Sequence, residues 1–147
     1  MLALAYGECQ IFFDDRATIF PMVIAAENLL AGVRQRCLAL PEVTEGRTHG
    51  GETWFVRRRS FAKFVDPVKH RLDEDHIALW AAAPPGARQE LIAEDPRPFF
   101  APRFGGYDWI GLRLDERADG PDWDEVREIL ADAYRQVAPK FLVARLS

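Results

Sequence analysis

The chain has 147 residues, a net charge of −4 at pH 7 and 48% hydrophobic residues, which is the size and composition of one globular domain. A chain this long buries roughly 70% of the surface its unfolded state exposes, so it needs neither disulfides nor a metal to fold. No apolar run approaches the ~20 residues of a membrane span, and Cys9 and Cys37 supply neither a disulfide framework nor a metal-ligand spacing, so a cytoplasmic protein with reduced thiols and no membrane contact is expected.

The opening MLALAYGECQIFFDDR lacks the basic start of a signal peptide, and Glu8, Asp14 and Asp15 break its apolar run. Residues 1–21 show no strong periodic pattern and are expected to be an extension outside the domain, with residues 22–147 forming the domain from a start at Met22. Between Ala25 and Leu40, the residues Ala26, Leu29, Leu30, Val33, Cys37 and Leu40 recur at helical spacing. Pro41 ends this helix because it has no amide hydrogen to continue the ladder. EVTEGRTHGGE, rich in glycine and turn formers, reads as a loop.

TWFVRRRSFAKFV reads as two short strands meeting at Arg58-Arg59, with Trp54, Val56, Ala62 and Phe64 on one face. The turn lacks the Gly or Asn that a tight hairpin prefers, which predicts a longer or strained connection. DPVKHRLDED is an exposed loop, HIALWAA a central strand, and PPGARQELIAEDP a short helix with Leu91 and Ile92 inward. FFAP and YDWIGLRLD are the fourth and fifth strands, joined through Gly105-Gly106. The last helix opens on an Asp122 cap with Glu125 three residues on, the spacing of a capping box. Trp123, Val126, Leu130, Ala133, Tyr134 and Val137 form its apolar stripe, and Pro139 leaves KFLVARL as a docking tail. The order α-β-β-β-α-β-β-α predicts an α+β fold, with helices packed on an antiparallel five-stranded sheet.

Charge is unevenly spread. Residues 46–71 carry a net of +5, and residues 115–136 a net of −5, an asymmetry that can mark a partner surface. Covalent catalysis is poorly supplied. Ser60 has no His or acid beside it in sequence, and Cys37 falls on the apolar stripe of the first helix, so no base is at hand to activate a nucleophile. His70, Asp73, Asp75 and His76 lie close together in KHRLDEDH, but their spacing matches no helical His pair, and a solvated turn is expected rather than a metal site. HGGET lacks the Lys-Ser/Thr that completes a phosphate loop. The expected protein is not an enzyme and uses no cofactor.

The stretches ALPEVTEG with HG just after it, SFAKF, LWAAAPPG, DPRPFF, GYDWIGLRLD and DAYRQVAPKFL run in order from Leu38 to Leu142. In them the chain resembles the MmcQ/YjbR family. The resemblance implies a secretion-chaperone-like or frataxin-like α+β fold, and a DNA-binding role attached to a double-wing likeness of the sheet. The chain departs from the family pattern at Trp80–Pro84 and in APRFGG, so no role of those groups is assigned here. Arg57, Arg58 and Arg59 at a hairpin tip, backed by Lys63, would form one wing on double-stranded DNA, and Arg103 the other. The rival reading is a peptide- or small-ligand-binding scaffold using the same sheet face, with His49, Phe104 and Tyr107 lining a groove. Arg103 beside Phe104 and Tyr107 suits stacking on bases or gripping an anion.

Overall fold

In the computed structural model, residues 25–67, 76–102 and 108–146 are described. The first helix, α1 (Ala26–Leu38), buries Leu29, Val33 and Cys37, three residues spaced four apart that meet on one face. It is followed by four strands in a meander: β1 (Val43–Thr48), β2 (Gly51–Val56), β3 (Arg59–Val65) and β4 (Ala78–Ala81). A short helix α2 (Ala87–Glu94) leads to β5 (Phe99–Phe100) and β6 (Ile110–Arg113). The long helix α3 (Trp123–Val137), a four-residue helix α4 (Lys140–Val143) and a 3-10 turn at Ala144–Leu146 complete the described chain.

The six strands run in the order β1-β2-β3-β4-β6-β5, and every neighbouring pair is antiparallel. The sheet thus has one strand more than the five expected. The addition is β1, whose residues VTEGRT read as loop. As an edge strand it leaves every position at least partly exposed, so it lacks the apolar alternation that announces a half-buried strand. A tight turn at His49 (φ 51°) and Gly50 (φ 82°) joins it to β2, and Arg47 pairs with Glu52 across the two strands at 2.7 Å.

Trp54, Val56, Ala62 and Phe64 share one face, as expected, and lie in the main core. Phe61 joins them because the β2–β3 register slips. Trp54 pairs with Ala62 and Phe55 with Ser60, leaving Phe61 as the extra residue of a β-bulge, which re-aims its side chain. Phe61 meets Tyr134 of α3 edge-on at 5.8 Å. Leu79, Ile110, Leu112 and Leu114 extend the same core beneath Val126, Leu130 and Tyr134 of α3. The opposite face carries Val65, Ala78 and Trp80, with Phe100 and Trp109 packed alongside.

Asp122 caps α3 by accepting from the amides of Asp124 and Glu125 at 3.0 and 3.4 Å. Trp123, expected on the buried stripe, is only partly buried. Its ring lies on α1 at Gly32, where a Cβ would come within 2.2 Å of it, and the Arg36 guanidinium sits 4.4 Å above its ring centre.

Candidate nucleic-acid interface

The β2–β3 hairpin turns on two residues, Arg57 and Arg58. Both adopt the left-handed conformation, with φ of 52° and 69°. The tight turn that matches strand twist requires positive φ at both central positions, and a Cβ there costs roughly 1–2 kcal/mol per residue. The strain expected from the missing Gly or Asn is therefore real, and the turn sits one residue earlier than the Arg58-Arg59 junction expected. Glu42, which adjoins the tip, is left-handed as well (φ 59°).

Arg57 is exposed but engaged. Its Nε donates to Glu42 Oε1 at 2.8 Å, and its guanidinium lies 5.2 Å from the centre of the Phe141 ring. Arg145 reaches the other oxygen of Glu42 at 4.0 Å. Beneath them the Tyr134 hydroxyl donates to the Pro41 carbonyl at 2.7 Å, which fixes the end of α3 against the segment leading into β1. Burial pushes the Tyr134 phenol up, with Arg145, Glu42 and Arg57 all close enough to act on it. Arg58 and Arg59 are exposed and form no ion pair among the described residues. Arg57, Arg58, Arg59 and Arg145 thus belong to one end of the sheet, where Glu42 links Arg57 and Arg145 and Lys140 adjoins Phe141 in sequence, on a molecule whose net charge is −4.

Lys63 does not join this cluster. It lies on the sheet face away from α3, in a cross-strand row with Thr53, Trp80, Gly111 and Phe100. Its ammonium donates to the Thr48 carbonyl at 2.6 Å, toward the other hairpin, and desolvation pulls its pKa down. His49 sits in that other turn, exposed, at the far end of β2 from Arg57. Six strand residues separate the two turns, about 20 Å of extended chain. Arg103, Phe104 and Tyr107 lie outside the described residues, as do His70, Asp73 and Asp75 of the loop considered for a metal. His76 binds Asp115 instead, at 2.8 Å, and the second oxygen of Asp115 accepts from the Ile77 amide. That carboxylate ties the entry of β4 to the exit of β6. Cys37 is fully buried, and burial holds its thiol far above the ordinary range.

The sequence reading missed the contribution of Phe141 and its neighbours. Phe141 is 57% exposed, while Leu142 beside it is fully buried. In the tail KFLVARL the signal was the pair of basic residues, Lys140 and Arg145, bracketing an aromatic. A second feature is a cleft of about 350 Å³ between the end of β6 and the start of α3. Leu112 and Leu114 form part of its wall, and Arg97, Arg113, Asp95 and Glu125 bring both charge signs to it. Glu125 is half-buried there, and burial, then Asp122, Asp95 and Glu128, raise its pKa.

No curated protein matches the chain. Among solved structures it is similar to Deinococcus radiodurans protein DR2400, which contains a DUF419 domain. The TM-score is 0.56 at 19% identity, over 78% of each chain, a likeness of fold. The YjbR family model matches residues 38–136, from the last residue of α1 to the last turn of α3, and so takes in the whole sheet together with α2 and nearly all of α3. The chain belongs to the YjbR family.

Proposed function

We propose that this protein is a non-catalytic DNA-binding module that grips the phosphate backbone with the β2–β3 hairpin tip and the adjoining C-terminal tail. The observation that carries this reading is the tip itself. Two arginines occupy a turn that glycine and asparagine fill at far lower cost, and Arg58 and the following Arg59 are exposed without an ion pair among the described residues. Backbone strain of this kind persists where the strained side chains are needed. Arginine suits phosphate because its planar fork donates two parallel hydrogen bonds to it. Lys140 and Arg145 widen the strip, while Arg57 is held by Glu42 and serves to position the tip. Lys63, turned toward Thr48, falls outside this interface.

Backbone contact without base readout gives weak affinity, about 10⁻⁴ to 10⁻⁶ M at physiological salt. Fluorescence anisotropy of a labelled duplex at several salt concentrations tests the proposal. With Arg58, Arg59, Lys140 and Arg145 as contacts, log K should fall against log salt with a slope near −3.6, about 0.9 counterion per phosphate. Arg58→Ala with Arg59→Ala should halve that slope without lowering the melting temperature. Absence of saturable duplex binding at low salt overturns the reading. The 350 Å³ cleft favours a second one, a small-ligand-binding protein, since that volume lies within the range of ligand sites. Binding there would be nearly indifferent to Arg58 and Arg59.

A further inference from the structure

We infer that Phe141 is a stacking platform for an unpaired base, so that the preferred partner at this end of the sheet is single-stranded rather than duplex nucleic acid. The inference rests on the nucleic-acid reading and specifies its substrate. Phe141 and Leu38 are the large apolar side chains left more than a third exposed among the described residues, and Phe141 is the aromatic one. Its position is not that of a loose surface residue. The next residue, Leu142, is anchored in the core, which fixes the backbone of α4. Arg57, itself held by Glu42 at 2.8 Å, sits against the Phe141 ring at 5.2 Å. Arg57 therefore backs one face of the ring, while more than half of the residue's surface stays exposed.

What can occupy it follows from the charge around it. The sequence neighbour Lys140, the Glu42-linked Arg145 and the hairpin arginines Arg58 and Arg59 set an exposed aromatic surface in a positive field. An apolar partner surface gains little from such surroundings, whereas a nucleotide supplies a flat base for the ring and a phosphate for the arginines. In a duplex the base faces are stacked on one another, and only a strand with unpaired bases can present one to Phe141. Stacking on an arginine-backed ring tolerates any base, so little sequence preference is expected.

The test is a titration of the full chain against a labelled oligo-dT strand and a labelled fully paired two-strand duplex of equal length, at low and moderate salt. The wild type should bind the single strand on the order of tenfold tighter than the duplex, as loss of one stacked base typically costs. Phe141→Leu keeps an apolar side chain and should remove that preference while leaving duplex affinity unchanged, and Phe141→Trp should restore or exceed it. Phe141→Leu loses the ring's contact with Arg57 and should melt about 2–5 °C lower, while Phe141→Trp should match the wild type; a larger fall in either would assign Phe141 a structural role and overturn the stacking platform. Equal affinity for the two probes, or an equal loss for both in Phe141→Leu, overturns the stacking platform and leaves backbone binding standing. Failure of both probes to bind at low salt overturns the backbone reading as well.

Discussion

Replacing the hairpin tip with the residues its geometry asks for separates stability from binding. In Arg57→Asn/Arg58→Gly, both left-handed positions (φ 52° and 69°) receive residues that adopt positive φ readily. The relief is roughly 1–2 kcal/mol per position, less what Asn retains of the penalty. Against it stand two contacts of Arg57. Its ion pair with Glu42 is 51% and 40% exposed on the two sides, and such pairs contribute about 0.2–1 kcal/mol. Its approach to the Phe141 ring contributes about 0.5–1 kcal/mol at an exposed site. The balance is a gain of about 1 kcal/mol, or roughly 3–5 °C in melting temperature for a domain of this size. Arg58→Gly alone, which gives up none of those contacts, should gain a similar amount. Calorimetry measures the stability and anisotropy the DNA affinity, which should fall as stability rises. A lower melting temperature in Arg58→Gly would refute the argument that this turn is strained.

At Gly32 two effects of opposite sign compete. Alanine in a helix interior gains about 0.5–1 kcal/mol over glycine, but here its Cβ would meet the Trp123 ring at 2.2 Å, and overpacking costs about 1–3 kcal/mol. Gly32→Ala should therefore lower the urea midpoint, and a rise would mean that the ring swings clear at no cost. Glu125→Gln should raise the melting temperature at neutral pH. The folded state raises this carboxyl's pKa, so its ionised form opposes folding above that pKa. The gain should fade as pH falls below the ordinary Glu value, where the carboxyl is neutral in both states, and a gain that persists unchanged in acid would contradict it.

The fold was legible where apolar residues repeat. Leu29, Val33 and Cys37 in α1, and Val126, Leu130 and Tyr134 in α3, marked buried faces that the structure keeps. So did the alternation of Ile110 and Leu112 in β6. β1 was illegible because an edge strand needs hydrogen bonds but little burial, and Thr44, Glu45 and Arg47 carry no apolar period. Its support comes from side chains far away in sequence. Arg34 on α1 holds Glu45 with two bonds of 2.8 and 2.9 Å, and the Trp54 indole donates to the same carboxylate. At the candidate site the arginine run was visible as charge, and its strained turn as a missing glycine. Phe141 was not, since a four-residue helix is too short to show periodicity, and its exposure depends on which way Leu142 is anchored.

The strand order also sets how the molecule comes apart. β1 through β4 each pair with their sequence neighbour, the first two links being two-residue turns and the third the longer stretch 66–77, and such local closure has a small entropic cost. Among the described residues β5 pairs with β6 alone, and β6 must then dock on β4 across the intervening α2. The β5–β6 pair has two residues in its ladder, Phe99 and Phe100, and closes the edge of the sheet as one flap. Its cohesion comes from packing, with the Phe100 ring laid on Gly111 and Arg113 stacked 4.8 Å from the ring centre. In hydrogen-exchange terms the amides of β5, the two-residue strand at this edge, should exchange ahead of those of β6, whose Ile110 and Leu112 are buried in the core.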